Sequence, residues 1–320
     1  MTDRLIKLIA LGVCLSLPSC AQDKKDTAAE NKIAGKTDYQ KEGVLFKLKH
    51  EHLDCSYEIL LNDMPIVTYF GLGERSGLTV DLNQYILKPG KQEVTIRMFP
   101  VKKEENHFAP KLSKNAFVKI EITKNKEPMT MLDQLNARGK GKEYKWETLT
   151  YQTPRLDKPL PYTAYKTSFV VDEKDVNWEI VGWSKSKKLN NDPNLRKEVD
   201  EFYNNYKKVL EEGDRNKFLS LVRTAIDEEA ASKPWDKEIE NQLTKNMIDY
   251  AAEKRNFIYP CTKAELKFFG DGRVVTLVCA DTLTFGYAPL ISRTAKNMVP
   301  KSHTFYLHRP AGTNKLEIIR

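Results

Sequence analysis

Between Gly43 and Gln152 the chain repeats short runs in which apolar and polar residues alternate. Val44-Leu-Phe-Lys-Leu-Lys-His50, Ser56-Tyr-Glu-Ile-Leu-Leu61 and Ile66-Val-Thr-Tyr-Phe70 predict three strands, with Asn62-Asp-Met-Pro65 as the turn between the second and third. Leu78-Thr-Val-Asp-Leu82 predicts another. After the turn Lys88-Pro-Gly90, Glu93-Val-Thr-Ile-Arg-Met-Phe99 alternates cleanly, and Ala116-Phe-Val-Lys-Ile-Glu-Ile122 follows. A linker rich in Gly and Lys, Arg138-Gly-Lys-Gly-Lys142, precedes further strands at 147–152 and 162–171. Short strands at this spacing, separated by turn residues, predict an antiparallel β-sandwich over residues 43–188.

The period changes after the polar stretch Ser184-Lys-Ser-Lys-Lys188. Charge, Asn and Pro193 accumulate over 184–193 and mark a domain boundary there. Leu195, Val199, Phe202, Tyr206, Val209 and Leu210 then recur at steps of three and four, which places one apolar stripe on a helix. Gly213 suits a left-handed helix end. Asp214 offers a side-chain oxygen to cap a second helix, whose stripe is Phe218, Leu221, Val222 and Ala225. Beyond Lys233-Pro234 a third helix carries Ile239, Leu243, Met247 and Tyr250. The remainder returns to strands. Residues 263–269 and 273–279 form a hairpin around Asp271-Gly272, with a type I′ turn, and 303–308 meets 315–319 across Pro310-Ala-Gly-Thr-Asn314. Three helices followed by an antiparallel sheet predict an α+β domain over 193–320. The expected fold is therefore a two-domain chain, an N-terminal antiparallel β-sandwich followed by an α+β domain.

The first 20 residues read differently. Arg4 and Lys7 precede ten apolar-run residues, Leu8 to Leu17. Crossing a bilayer takes roughly 20 residues, so the run is too short to span one. A basic start, a short apolar run and small residues describe a secretory signal peptide at 1–20. Leu17-Pro-Ser-Cys20 resembles the bacterial lipobox, in Leu17 and Ser19 more than in Pro18. That resemblance implies that Cys20 is lipidated and becomes the mature N-terminus; a plain signal peptide containing a cysteine is the alternative. Cys14 follows the bulky Val13 and does not fit the motif. Ala21 after the cysteine implies outer-membrane sorting in a Gram-negative host. Asp23-Lys-Lys-Asp26 resembles the export signals of surface lipoproteins, so the periplasmic and surface sides both stay open. From Ala21 to Glu42 the large apolar residues are Ile33 and Tyr39, and five Lys balance five acids. Such a segment cannot bury enough surface to order itself. It is a flexible tether with a reach of roughly 25 Å.

Two further resemblances concern the domains. LLNDMPIV with VDLNQYILKPGKQEVTIRMF resembles the galactose-binding-like jelly roll appended to many glycosidases, which implies a sugar-binding module. Trp178 and Trp183 are compatible with a sugar platform or with a plug at the end of a sandwich. FYNNYKKVLEEGDRNKFLSLV, with its Gly-Asp break between helices, resembles the ketosteroid-isomerase-like cone fold. Enzymes of that fold use an Asp base with Tyr or a protonated Asp as oxyanion partner. On this chain the resemblance points to Asp281, Tyr287 and His303 for such roles, without singling them out as a catalytic set.

Charge and cysteines narrow the function. The chain of 320 residues carries a formal charge of +8; without Arg4, Lys7 and Asp3 of the signal it keeps +7. The charges are interspersed, and outside the cytoplasm a basic surface faces anionic lipid, polysaccharide or acidic protein rather than nucleic acid. Cys55, Cys261 and Cys279 remain in a compartment that permits disulfides. Cys261 and Cys279, which flank the hairpin described above, are a candidate pair, and one cysteine is then left over. Cys279 falls opposite Ala264 in the hairpin, so Cys261 must fold back after Pro260 to come within roughly 7 Å.

His50-Glu-His52-Leu-Asp-Cys55 has alternating ligands on one strand face, as zinc or copper requires, but lacks a second cluster and reads as a strand end with solvated histidines. Gly71-Leu-Gly-Glu-Arg-Ser-Gly77 precedes a strand rather than a helix, so it does not form a phosphate loop. Asp227-Glu-Glu229 reads as a solvated helix end. No Gly-x-Ser-x-Gly elbow or His-Glu-x-x-His helix occurs, and no catalytic residue, metal or cofactor is assigned. The expected function is a non-enzymatic, lipid-anchored protein of the bacterial envelope. It binds a protein partner, either an envelope component or a secreted toxin in an immunity-type pair. A cone-fold enzyme acting on a small substrate and a carbohydrate-binding lipoprotein are the alternatives.

Overall fold

A computed structural model describes residues 43–72, 78–104, 107–127, 147–233, 237–258, 261–281 and 284–320. The signal segment, Cys20, the tether, residues 73–77 of the Gly-rich run and the linker at 138–142 lie outside the described residues. The described part is mostly antiparallel sheet with three helices, an α+β protein. None of these helices is long and apolar enough to cross a membrane.

The first strands are β1 (Gly43–Leu53), β2 (Cys55–Leu61), β3 (Met64–Tyr69), β4 (Leu78–Asp81) and β5 (Gly90–Pro100). They are followed by β6 (Lys102–Glu104), β7 (His107–Phe108), β8 (Phe117–Glu127), β9 (Glu147–Gln152) and β10 (Thr163–Val171). One sheet has the order β4-β1-β8-β9 and another β10-β5-β2-β3, while β6 and β7 pair separately. The β2–β3 turn holds Asn62 and Asp63 at φ 51° and 63° between the paired residues Leu61 and Met64. Asn and Asp tolerate this left-handed region, which matches the twist of the flanking strands.

Val94, Ile96 and Met98 of β5 project into one hydrophobic cluster together with Leu48, Val118 and Ile120 of the other sheet. Strand β2 is buried along its whole length, because residues from the C-terminal half cover it as well. Glu58, 3% exposed, receives ion pairs from Arg97 and, across the two halves, from Lys267.

The helices are α1 (Leu195–Glu212), α2 (Arg215–Ala231) and α3 (Lys237–Ala252). Gly213 ends α1 in the left-handed conformation, with φ 73°, and Asp214 caps α2 by accepting the Lys217 N–H. After them come β11 (Arg255–Ile258), β12 (Ala264–Phe269), β13 (Val274–Cys279), β14 (Ile291–Thr294), β15 (Lys301–Ser302), β16 (Leu307–His308) and β17 (Glu317–Ile318). They form two sheets, β11-β14-β15 and β12-β13-β16-β17.

The strand expected over 303–308 is divided between these sheets. Residues 301–302 pair with β14, and 307–308 pair with β13 and β17. The intervening chain buries Phe305 among the helices, so it leaves one sheet before joining the other.

Polar contacts join the two halves where sequence patterns give no hint. Asn83, fully buried, accepts the Phe46 N–H through Oδ1 and donates through Nδ2 to the carbonyls of Val44 and Ser232, each at 2.8 Å. Arg320 forms an ion pair with Glu228 at 2.9 Å and also donates to the Gln84 carbonyl. Glu228 in turn accepts the Gly182 N–H at 2.8 Å. The expectation of a solvated Asp227-Glu-Glu229 is thus corrected at Glu228, because tertiary packing turns this part of α2 inward. Trp183 belongs to the core, and a Cβ on Gly270, whose φ is +57°, would fall 2.6 Å from its ring. Trp178 donates its indole N–H to the Ile86 carbonyl at 3.1 Å while packing on the same core.

Candidate functional site

The motif with metal-like ligands, His50 to Cys55, resolves into structural chemistry. His50 and His52 are buried, which corrects the expectation of solvated histidines. The Tyr57 and Tyr69 rings close over this part of β1, and alternation along the strand cannot reveal rings supplied by β2 and β3. His50 Nδ1 and the Tyr57 hydroxyl are hydrogen-bonded at 2.8 Å, and the His52 ring lies 4.7 Å and 4.9 Å from the rings of Tyr57 and Tyr69. Burial pushes the His52 pKa down to about 4, against a backbone hydrogen bond at Cys55. Burial pushes the Cys55 thiol up to about 12, with the Asp54 charge adding to the effect, so Cys55 stays a thiol and donates to the Phe117 carbonyl. Metal ligation needs the thiolate.

Cys261 and Cys279 form a disulfide, with Cα atoms 5.9 Å apart. The hairpin register places Ala264 opposite Cys279, so the bridge ties the segment before β12 to the end of β13. A carboxylate oxygen of Asp281 lies within 4.8 Å of the two sulfurs. Joined to each other, the sulfurs offer no thiolate to an ion. The bridge spans 18 residues, and closing a loop of that length stabilises a chain by about 3 kcal/mol. Reduction, or Cys261→Ser with Cys279→Ser, is therefore expected to lower the unfolding free energy by about this amount. Urea denaturation with and without reductant measures it, and superimposed curves would show that the bridge contributes nothing.

The groups suggested by the cone-fold resemblance do not assemble into acid–base machinery. Asp281 accepts the Thr284 N–H and hydroxyl through Oδ1 and the Thr262 N–H through Oδ2, closing its own loop. Burial pushes its carboxyl up, but these donors outweigh burial and hold it below the usual range. It is an ionised loop cap and a weak base. Tyr287 holds the same loop through its backbone, accepting the Cys279 N–H and donating to the Thr284 carbonyl, both at 2.9 Å.

His303 has the richest surroundings. Its Nε2 lies 2.6 Å from the Ser292 hydroxyl, and its Nδ1 lies 3.3 Å from the Tyr250 hydroxyl. One ring nitrogen donates and the other accepts, as in a neutral imidazole. A serine against a histidine suggests a nucleophile and its base, but the field opposes that role. Burial, then Arg255, then Lys301 push the His303 pKa down to about 3. In hydrolytic triads a carboxylate stabilises the imidazolium, whereas here two cations penalise it. Ser292 is also fully buried, out of reach of a substrate carbonyl.

Aromatic rings fill the space between the helices and this sheet. Phe305 lies 4.4 Å from Tyr203 and 4.6 Å from Tyr206, and Tyr206 continues to Phe218 at 6.0 Å and to His303 at 5.8 Å. Burial pushes the hydroxyls of Tyr203 and Tyr250 up to about 12, so both stay protonated. The Tyr203 hydroxyl pairs with Thr276 at 3.0 Å and accepts the Leu277 N–H at 3.1 Å, anchoring α1 to β13.

Compared with protein-family models, curated proteins and solved structures, the chain matches none of them.

Proposed function

We propose that this chain is a lipid-anchored protein of the bacterial cell envelope that binds a protein partner and performs no catalysis. The observation that carries this reading is the apolar run ending at Leu17-Pro-Ser-Cys20, followed at once by a polar, self-balanced tether. Cys20 is the lipid attachment point, and the tether lets the folded part reach partners roughly 25 Å away. A β-sandwich over 43–188 and a cone-like α+β domain over 193–320 carry the binding surfaces, and the partner is an envelope component or a secreted toxin.

Three features of the folded part support a binding role over an enzymatic one. Phe305 packs against Tyr203 and Tyr206, Asp281 is committed to its loop, and burial together with the cations beside His303 holds the pKa of its ring well down. The packed positions of Trp178 and Trp183 likewise favour a plug over a sugar platform.

Two measurements test the reading. Intact-mass analysis of membrane-extracted protein should show Cys20 as the N-terminal residue carrying acyl chains, while Cys20→Ala should leave the membrane fraction. An unmodified Cys20 would sink the anchor. Affinity capture from native membranes should retain a stoichiometric protein partner with both the native chain and Cys20→Ala. Its absence from both would sink the partner.

A further inference from the structure

The two N-terminal sheets end in four edge strands, β4 and β9 on one and β10 and β3 on the other. An edge strand presents a row of unpaired N–H and C=O groups, which proteins shield by shortness, proline, a bulge or a covering segment. Strand β4 has four residues, and Lys233 holds its Asp81 at 3.0 Å. Strand β3 carries Pro65 and shifts register against β2. Strand β9 has six residues. Strand β10 is different: its nine residues, Thr163-Ala-Tyr-Lys-Thr-Ser-Phe-Val-Val171, include no proline or glycine and pair with β5 in unbroken register. Phe169 and Val171 turn inward, while Ala164, Lys166 and Val170 are exposed on the outer face. Val170, at 70%, is the most exposed large apolar side chain among the described residues. The one charge of the strand, Lys166, is paired with Glu93 of β5 at 2.8 Å.

The hydrogen bonds of β5 fix which groups of β10 are open. Asn62, next after β2, donates its N–H to the Glu93 carbonyl, so Glu93 and the alternate residues Thr95 and Arg97 turn their backbone groups toward β2. Val94, Ile96 and Met98 therefore turn theirs toward β10, where Thr167, Tyr165 and Thr163 stand opposite them. The N–H and C=O groups of Ala164, Lys166, Ser168 and Val170 consequently point away from β5. Among the described residues no further strand pairs with this edge.

We propose that β10 pairs antiparallel with β10 of a second copy of this chain, about a two-fold axis at Thr167. In that register Ala164 stands opposite Val170 of the second copy and Lys166 opposite Ser168, so every outward N–H and C=O meets a partner. Charge and strand length select this axis. Centring it on Lys166 would set two ammonium groups face to face, which is destabilising, and centring it on Ser168 would leave Ala164 opposite Asp172, beyond the strand. About Thr167 each Lys166 faces a neutral hydroxyl and keeps its own Glu93. Val170 is covered, and on the inner face Tyr165 meets Phe169 of the second copy, an aromatic cross-strand pair. Two four-stranded sheets become one of eight strands. The inference rests on this edge alone and holds whichever partner the envelope supplies and whether or not Cys20 carries lipid.

Sedimentation equilibrium of the full chain in density-matched detergent should show a dimer that dissociates on dilution. Val170→Lys, at a position exposed in the single copy, brings an ammonium group diagonal to Lys166 of the second copy and should weaken association about tenfold. Cross-linking in membranes reads the register. Facing Thr167 residues form a non-hydrogen-bonded pair with Cα atoms about 4.5 Å apart, within disulfide reach, whereas the two Thr163 residues lie about 27 Å apart. Under mild oxidant Thr167→Cys should give a disulfide-linked dimer on a non-reducing gel, and Thr163→Cys should give none. A native chain that stays monomeric, a dimer unchanged in a folded Val170→Lys chain, or equal cross-linking at 163 and 167 would each overturn the proposal. Thr167→Cys joined to a different protein instead of a second copy would overturn it as well, and would assign the edge to that protein's strand.

Discussion

Arg320→Ala is expected to lower the unfolding free energy by about 3–5 kcal/mol, the cost of leaving one member of a buried ion pair without its partner. The Arg320 side chain is 3% exposed and that of Glu228 15% exposed, so water cannot readily replace the missing guanidinium. The same side chain donates to the Gln84 carbonyl, and its guanidinium carbon lies 5.8 Å and 5.6 Å from the Tyr85 and Trp183 rings. One truncation thus removes an ion pair, a hydrogen bond and two ring contacts that join the C-terminal half to the N-terminal sheets. Urea denaturation at pH 7 measures the effect. The double variant with Glu228→Gln should recover part of the loss, since a neutral amide is cheaper to leave buried than a carboxylate. A single variant within 1 kcal/mol of the native chain, a threshold well below the range for a broken buried pair, would mean that the contact contributes little.

What could be read from the sequence was local. The alternation in Glu93-Val-Thr-Ile-Arg-Met-Phe99 places Val94, Ile96 and Met98 inward, and Gly213 with Asp214 divides α1 from α2 through backbone conformation and capping. The hairpin turn is equally local: Asp271 and Gly272 both have positive φ, and the Arg273 N–H closes onto the Gly270 carbonyl. The three-stranded sheet β11-β14-β15 was not legible. Strands β11 and β14 have four residues each, and Arg-Asn-Phe-Ile and Ile-Ser-Arg-Thr have too little periodicity to stand out from loops. Their pairing is a tertiary event, and only that pairing brings Arg255 to Lys301. Orientation was lost in the same way on α1, where Tyr203 is buried, its hydroxyl against Thr276 of β13, while Phe202 of the expected stripe is only half-buried. A charge such as Glu228 or a histidine such as His52 reads as solvated until the elements that cover it are known.

Lowering the pH from 7 to 5 is expected to remove about 4 kcal/mol of stability through His52 and His303 alone, about 2 kcal/mol each. In the unfolded chain an imidazole takes up a proton below about 6.5. In the folded chain burial holds His52 near 4, and burial with Arg255 and Lys301 holds His303 near 3. Between those limits the unfolded state binds more protons. The stability these two groups contribute is therefore complete above about 6.5 and is lost as the pH falls toward their folded values. His308 acts in the same direction: burial and then Arg320 push it down to about 4, although the Glu317 carboxylate lies 3.5 Å from its Nε2. The carboxylates held below their usual range, Asp192, Asp214, Asp271 and Asp281, act in a separate window, because their unfolded counterparts protonate only near 3.9. Urea midpoints at pH 7, 6 and 5 should therefore fall steeply while those carboxylates stay ionised in both states. Against a total stability that for most domains is about 5–15 kcal/mol, such a loss brings the chain close to acid unfolding at pH 5. His303→Gln and His52→Phe should each flatten the profile by about one proton, or about 1.4 kcal/mol per pH unit below 6. A native profile that is flat from pH 7 to 5 would show that the imidazoles take up protons in the folded state, against the burial of both rings and the cations around His303.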